Sequence, residues 1–222
     1  MSIRENYQRI MEQIEDLKAK KHISYPITIV AVTKTFGPEV VKEAVEAGIH
    51  HIGENRVQEA EEKFSKLQDL SFTRHLIGSL QSNKINKALQ WFDVIQSVES
   101  VSLAEGISKR LQRTLPIFVE VNTSFETSKH GARPDEALDL IAQIKELPNL
   151  FITGLMTVGP LTEDEKKIRE AFRLLRKLRD DAQKWFSHPL QLSMGMSDDF
   201  LVAIEEGSTM VRLGRVLFGS RR

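Results

Sequence analysis

Eight short apolar runs that alternate with helical patterns are the feature of this sequence that most limits its fold. The runs have the length and β-branched content of buried strands, and segments with helical periodicity separate them. They span residues 28–34, 49–54, 74–79, 93–98, 117–122, 151–157, 190–196 and 210–215. This alternation indicates parallel β/α units, and eight units predict a closed (β/α)8 TIM barrel of the α/β class. An open doubly wound sheet is the alternative.

The segment before the first run predicts an additional N-terminal helix. Apolar residues recur there at steps of three and four, at Ile3, Tyr7, Ile10, Ile14 and Leu17. Only seven residues follow the eighth run, so we expect no helix after that strand and expect the N-terminal helix to cover it. We find no linker or low-complexity stretch, and we therefore predict one domain over residues 1–222.

Composition and charge exclude several classes of function. The chain has 31 basic and 31 acidic residues, so its net charge gives no reason to expect a nucleic acid or an anionic membrane as partner. It has no cysteine, which removes disulfides, thiolate metal sites and cysteine nucleophiles. The N-terminus lacks the apolar core of a signal peptide, and no apolar run approaches the roughly 20 residues of a membrane span. We therefore expect a soluble cytoplasmic protein.

Lys34 is the most informative polar residue, because it ends the first apolar run. The active site of a β/α barrel lies at the carboxyl ends of its strands. Desolvation at such a position favours the neutral amine of a lysine, which can attack a carbonyl group. A lysine that simply reaches solvent at the end of a strand is the alternative interpretation.

Two further segments indicate a phosphate site near the last two strands. In the segment 192–200, a glycine turn leads to Ser197, which is a suitable N-cap for the helix that follows. Helix N-termini bind anions, and many barrels hold phosphate in the loops after strands seven and eight. Gly214 at the end of the last run allows close approach of backbone amides. Arg212 either points into the barrel mouth or forms a surface ion pair, and purely structural roles remain open for Ser197 and Gly214.

Other polar residues have equally good structural explanations. Asn55 stands where a helix begins, with Gln58 three residues later, which resembles a capping box. His75 lies within the third run, where a hydrogen-bonded core histidine is expected. The histidines show no HxxxH or HExxH spacing, and we predict no metal site.

Taken together, these motifs resemble the YggS/PROSC-like pyridoxal-phosphate homeostasis proteins. The matching segments are AVTK ending at Lys34, GENRVQE (53–59), HLIGSLQSNK (75–84), GLMTV (154–158), LSMGMSDDF (192–200) and VRLGRVLFG (211–219). The resemblance implies the N-terminal barrel of alanine racemase as the fold and pyridoxal 5′-phosphate (PLP) as the cofactor.

The resemblance also implies site roles. Lys34 would form a Schiff base with PLP, while Ser197, Gly214 and the backbone of Arg215 would hold its phosphate. Arg212 would face the pyridine nitrogen, and Asn55 and Met194 would line the ring pocket. Lys129 matches a family lysine near the mouth without a clear role, and Arg56 stands where a tyrosine is frequent, so no role is given to it.

The implied function is intracellular PLP homeostasis by a monomer without a defined catalytic activity, with PLP-dependent apoenzymes as partners. One alternative is an amino-acid racemase of the alanine racemase type. That chemistry uses a second-base tyrosine from a separate domain, whereas Tyr7 and Tyr25 are the only tyrosines here and lie near the N-terminus. Another alternative is a barrel enzyme that uses Lys34 on a different phosphorylated metabolite.

Overall fold

The computed structural model describes residues 2–219, which form a closed eight-stranded parallel barrel surrounded by helices. The strands are β1 (Thr28–Val32), β2 (His51–Glu54), β3 (Thr73–Leu76), β4 (Val94–Val98), β5 (Leu115–Glu120), β6 (Leu150–Met156), β7 (Gln191–Ser193) and β8 (Met210–Leu213). The helices are α1 (Ile3–Lys21), α2 (Pro38–Glu46), α3 (Val57–Phe64), α4 (Ile85–Trp91), α5 (Val101–Ser108), α6 (Ala137–Lys145), α7 (Glu165–Gln183), α8 (Phe200–Glu205) and α9 (Arg215–Phe218).

Strand order confirms the predicted barrel and excludes the open sheet. Each strand pairs in parallel with its neighbour in the chain, and β8 returns to β1, with Ile29 opposite Val211. The predicted runs overlap all eight strands, but several runs extend past the carboxyl end, by up to three residues at β3 and β7. Those extra residues are the beginnings of the loops that form the barrel mouth.

Helix α1 begins at a capping box. The Ser2 hydroxyl accepts a hydrogen bond from the amide of Glu5, and the Glu5 carboxylate accepts one from the amide of Ser2. It packs against α8 and α9, and the Asn6 side chain donates a hydrogen bond to the carbonyl oxygen of Leu217 at 2.8 Å. The N-terminal helix thus packs against the two helices that precede and follow the last strand in the chain, α8 and α9. The expectation that no helix follows that strand is wrong, because β8 ends at Leu213 and leaves room for one turn, α9.

Two apolar layers hold the barrel together. The larger lies between the strands and the surrounding helices. The smaller lies inside the barrel and consists of Val30, Val94, Phe118, Met156 and Met210. The same interior contains polar side chains, which is unusual for a barrel core of this type because branched apolar residues normally fill it.

The turn after β7 shapes the barrel mouth. β7 has only three residues, and the chain then turns at Gly195, whose φ is 96°. A Cβ atom at this position would lie 2.5 Å from the Cβ of Ala203 in α8, so only glycine permits this packing. The turn brings residues 196–198 over the carboxyl ends of β1 and β8.

None of the helices in residues 2–219 is long and apolar enough to cross a membrane.

Candidate functional site

A cavity of about 540 Å³ at the barrel mouth brings together five of the seven predicted site residues. Its lining comprises Val32, Lys34, Phe36, Met196, Ser197, Asp198, Arg212, Gly214, Arg215 and Gly219. These residues come from the carboxyl ends of β1 and β8 and from the β7–α8 turn, which are distant in sequence but adjacent around the closed barrel. We call this space the Lys34 cavity.

The Ser197 hydroxyl binds two backbone amides at the start of α9. It accepts hydrogen bonds from the amides of Gly214 and Val216, each at 3.3 Å. Two amides that converge on one oxygen atom at the edge of a cavity can equally bind an oxygen atom of an anion.

The prediction that Ser197 is the N-cap of the following helix is wrong. Helix α8 begins at Phe200, and its N-cap is Asp199. Asp199 instead accepts a hydrogen bond from the amide of Met196, which closes the intervening turn. Ser197 therefore remains available to bond to the chain after β8.

Arg212 is buried within the barrel and is not a surface ion pair. Its Nη1 donates to the carbonyl oxygen of Ser193 at 2.8 Å and to the Ser193 hydroxyl at 2.7 Å, and its Nη2 donates to the carbonyl oxygen of Thr157 at 2.7 Å. These bonds use three of the five guanidinium N–H groups. Burial lowers the pKa of Arg212 to about 10, while nearby Glu120 and Asp199 oppose that shift. The guanidinium is thus still charged at neutral pH.

A polar chain crosses the barrel interior from Arg212. The Ser193 hydroxyl donates to Gln96 Oε1 at 2.6 Å, and Gln96 Nε2 lies 2.9 Å from His75 Nδ1. His75 Nε2 in turn lies 3.0 Å from His51 Nδ1. His75 is 1% exposed and hydrogen-bonded, so its predicted role as a core histidine is confirmed. Burial lowers the pKa of His75 to about 3, which keeps its imidazole neutral.

Asn55 lines a second cavity at the mouth, of about 850 Å³. Its Oδ1 is buried and has no hydrogen-bond partner among the described residues. Helix α3 begins at Val57 with Arg56 as its N-cap and no side-chain capping bond, so the predicted capping box at Asn55 is wrong. Lys129 lines the same cavity and donates to Glu126 Oε1 at 2.7 Å.

Met194 does not line the Lys34 cavity. Its side chain has no exposed surface and belongs to the apolar layer between the barrel and the helices. The methionine at the cavity is Met196, which is exposed. The turn at Gly195, whose φ is 96°, separates the two methionines, so Met194 packs in the apolar layer while Met196 lies at the cavity.

Sequence reasoning missed Glu120 and Gln96, and it gave no role to Ser193. Glu120 ends β5, lines the second cavity and is 4% exposed. Burial raises the pKa of Glu120 to about 7, Glu99 acts in the same direction and Arg212 opposes them. A glutamate inside the run 117–122 and a glutamine inside the run 93–98 were signals available in the sequence.

Comparison with known proteins places this barrel in a family. The family described as "Alanine racemase, N-terminal domain" matches residues 2–222. A pyridoxal phosphate homeostasis protein of Aquifex aeolicus is 41% identical over 198 residues, which cover 87% of each chain. One of Helicobacter pylori (strain 26695) is 36% identical, over 98% of this chain and 99% of that protein.

Solved structures agree with this relation. PipY of Synechococcus elongatus, with PLP bound, has a TM-score of 0.86 and 33% identity, over 98% of this chain and all of PipY (100%). An alanine racemase of Clostridium difficile has a TM-score of 0.79 at 15% identity, and the match covers 98% of this chain but 57% of the racemase. The latter shows a common fold alone. By its sequence and its barrel, the chain belongs to the pyridoxal phosphate homeostasis proteins, within the family of the alanine racemase N-terminal domain.

Proposed function

We propose that this chain binds PLP reversibly, as a Schiff base on Lys34, and holds it for PLP-dependent apoenzymes without a reaction of its own. The observation that carries this proposal is the convergence of an amine, two amide donors and a guanidinium on one cavity. The single barrel would be the PLP-binding unit, and we propose that it acts as a monomer in the cytoplasm. The names of the relatives, and the PLP bound to PipY, support the same assignment.

The residues of the Lys34 cavity fit this cofactor. A volume of about 540 Å³ lies in the range of pockets for small molecules. A Cβ atom on Gly214 would lie 3.5 Å from the carbonyl oxygen of Val32, which also lines the cavity, so glycine leaves space open at that edge. The phosphate would take the amides of Gly214 and Val216 together with the Ser197 hydroxyl, and Phe36 and Met196 supply apolar surface for a ring.

Lys34 and Arg212 have separate roles in this proposal. Lys34 Nζ would supply the amine for a Schiff base with the aldehyde group of PLP, and water would be released in that condensation. Arg212 would face the pyridine nitrogen, to which a guanidinium can only donate a hydrogen bond. It would therefore hold that nitrogen unprotonated, which weakens the electron sink on which PLP enzymes depend.

Absorption spectroscopy with borohydride reduction tests the proposal. We expect the purified protein with PLP to show a visible Schiff-base band, and reduction to label Lys34, as located by peptide mass spectrometry. Lys34→Ala is expected to lose the band while its circular dichroism stays that of the folded barrel. Lys42→Ala is the matched control, since Lys42 is an exposed lysine on α2 that pairs with Glu46. A label on Lys129 or on another lysine would contradict the assignment.

Delivery and oligomeric state need separate measurements. We expect the loaded protein to restore activity to a PLP-dependent apoenzyme, and sedimentation equilibrium to give the mass of one chain. Failure to transfer PLP would leave binding intact but remove the delivery role.

A further inference from the structure

The turn that carries Lys34 has a backbone conformation that its sequence does not favour. The amide of Phe36 donates to the carbonyl oxygen of Thr33 at 3.0 Å, so Lys34 and Thr35 are the central residues of a tight turn. Thr35 has a φ of 71°, in the left-handed region. Turns of this kind take glycine or asparagine at that position, and a β-branched residue there is an outlier. Something outside the turn must hold it in place.

A buried ion pair beneath the turn supplies that restraint. Lys63 on α3 donates to the carbonyl oxygen of Thr33 at 2.7 Å, the same oxygen that closes the turn. Lys63 also pairs with Glu54 at the end of β2, and the Thr33 hydroxyl donates to the same carboxylate oxygen. Thr33 and Glu54 have no exposed surface, and Lys63 is 5% exposed.

A second contact holds the other side of Lys34. The amide of Thr35 donates to Glu59 Oε2 at 3.2 Å. Both neighbours of Lys34 in the chain are therefore bonded to side chains of the β2–α3 segment. The direction of the Lys34 side chain depends on that segment as well as on β1.

Stability alone does not account for the buried pair. Removing two charges from water is so unfavourable that apolar residues of similar volume often serve as well or better. The second carboxylate oxygen of Glu54, Oε2, is buried and has no hydrogen-bond partner among the described residues. The buried pair is thus less favourable for stability than apolar side chains of the same volume would be. It is, however, well suited to hold the carbonyl oxygen of Thr33 in one position.

We propose that Lys63 and Glu54 are positioning residues, which lock the Thr33–Phe36 turn and thereby aim the Lys34 amine into its cavity. This proposal rests on the proposed function for the purpose of that amine. The restraint itself is a property of the chain without cofactor. It can therefore be measured in the absence of PLP.

The test replaces both charges together, in the variant Lys63→Met with Glu54→Leu. Because no unpaired charge remains, we expect the double variant to stay folded. We expect hydrogen exchange at the Phe36 amide to rise by about tenfold or more and acetylation of Lys34 relative to Lys42 to change, both without PLP. With PLP, we expect Schiff-base formation to slow by about tenfold or more, because small misplacements of a reacting group have large effects on rate.

Thr35→Gly, added to the double variant, tests whether the effect of Lys63 and Glu54 acts through the turn. If the pair only stabilised the fold, this substitution would not restore the readouts. Glycine adopts a φ of 71° without strain, so the turn no longer needs an external restraint. Added to the double variant, it is expected to restore Phe36 protection and most of the rate with PLP. Lys87→Met is the control, because it breaks the partly exposed ion pair between Lys87 on α4 and Glu61 on α3, the helix that carries Lys63, and we expect it to change none of these readouts.

The outcomes separate the proposals. Wild-type values for Phe36 exchange, Lys34 acetylation and the PLP rate in the double variant would overturn the positioning role. Should the double variant not fold, the single variant Lys63→Met takes its place, because it removes the donor to the Thr33 carbonyl oxygen, and wild-type values of the same three readouts there would overturn the positioning role equally. If wild-type protein bound no PLP, the proposed function would fail while the exchange and acetylation results still decided the restraint.

Discussion

Arg212 donates two hydrogen bonds to Ser193 from a single guanidinium nitrogen, one to its carbonyl oxygen and one to its hydroxyl. The hydroxyl therefore points its own proton away from Arg212, to Gln96 Oε1. Gln96 Nε2 must then donate to His75 Nδ1, so the His75 proton lies on Nε2 and faces His51. The donor or acceptor role of each group in this chain of hydrogen bonds is therefore fixed by the group before it. The position of the Arg212 guanidinium depends on the whole chain of hydrogen bonds, from Ser193 to His51.

This dependence predicts that Gln96→Leu lowers both stability and PLP affinity, although Gln96 does not line the Lys34 cavity. The variant leaves the Ser193 hydroxyl and His75 Nδ1 buried without their hydrogen-bond partner. Each buried group without a partner lowers the free energy of unfolding by about 1–3 kcal/mol. We expect a lower free energy of unfolding in urea and weaker PLP binding through a displaced Arg212. Gln143→Leu is the control, since Gln143 is exposed on α6. Equal stability of the two variants would show that the chain of bonds does not support Arg212.

Ser197→Ala tests the phosphate contacts. The variant removes the oxygen on which the amides of Gly214 and Val216 converge. We expect PLP binding to weaken by about 1.5–3 kcal/mol, as is typical for one hydrogen bond to a charged group. Pyridoxal, which lacks the phosphate, is expected to bind wild type far more weakly and to be little affected by the substitution. Fluorescence titration measures both, with Ser65→Ala on the surface as control, and equal affinities of PLP and pyridoxal would refute the phosphate contacts.

Gly214→Ala tests whether the absence of a side chain at position 214 is needed for PLP binding or for folding. The φ of Gly214 is −118°, and an added Cβ would meet only Val32, at ordinary contact distances of 3.5 and 3.7 Å. We therefore expect the variant to fold with a modest decrease in melting temperature, because the added Cβ meets no close contact, although the φ of −118° and ψ of −79° lie outside the most favoured helical region. PLP affinity is expected to fall by about tenfold or more, since the methyl group occupies the edge of the cavity where close approach of backbone is needed. Unchanged affinity would place the phosphate elsewhere.

Glu120 predicts a specific dependence of stability on pH. Burial raises its pKa from 4.5 to about 7, so the folded chain binds its proton more tightly than the unfolded chain does. The protonated carboxyl is accommodated at low pH, and stability is lost as pH rises from about 4.5 to about 7. A shift of that size corresponds to about 3 kcal/mol, at about 1.4 kcal/mol per pKa unit.

Glu120→Gln is expected to remove this loss. Its free energy of unfolding relative to wild type should increase between pH 4.5 and 7 and stay constant above pH 8, when urea unfolding is measured across that range. Glu163→Gln, at an exposed glutamate, serves as control. A constant difference at all pH values would show that Glu120 titrates normally.

The local sequence pattern was sufficient to predict the barrel and part of the lining of the Lys34 cavity. The apolar runs and the helical periodicity between them define eight β/α units, and closure then brings Lys34 beside Ser197 and Gly214 without further information. The position of Met194 could not be predicted in the same way. Its direction depends on the turn at Gly195, whose shape is determined by contact with Ala203 on another element.

The buried polar residues mark a second limit of sequence reasoning. Gln96 and Ser193 lie 97 positions apart, and their hydrogen bond exists only because β4 and β7 face one another across the closed barrel. Gln96 lies in none of the family-matching segments, and Ser193 lies in the segment 192–200 without a role assigned to it. The Lys63–Glu54 pair is of the same kind, since a lysine on an amphipathic helix is normally interpreted as an exposed residue.

Amino-acid racemisation is the reaction that most directly distinguishes a PLP carrier from an enzyme of this fold. Inversion at Cα needs one base on each face of the substrate and a sink for the developing charge. In the proposed complex, Lys34 would be able to act on one face after an amino acid displaces it from PLP. Tyr7 lies at the opposite end of the barrel, in a small cavity with Ile27 and Gly48, and Tyr25 precedes β1, so neither can act on the other face.

We therefore expect holo-protein in heavy water to exchange the Cα hydrogen of L-alanine and D-alanine slowly, with configuration retained. At the pyridine nitrogen, as proposed, Arg212 would donate a hydrogen bond and remain charged, and it would therefore weaken the electron sink and slow exchange further. Proton NMR follows the exchange and chiral chromatography follows inversion, with Lys34→Ala as the control without the base. Rapid exchange with inversion, abolished by Lys34→Ala, would instead establish a racemase whose second base is a group other than tyrosine.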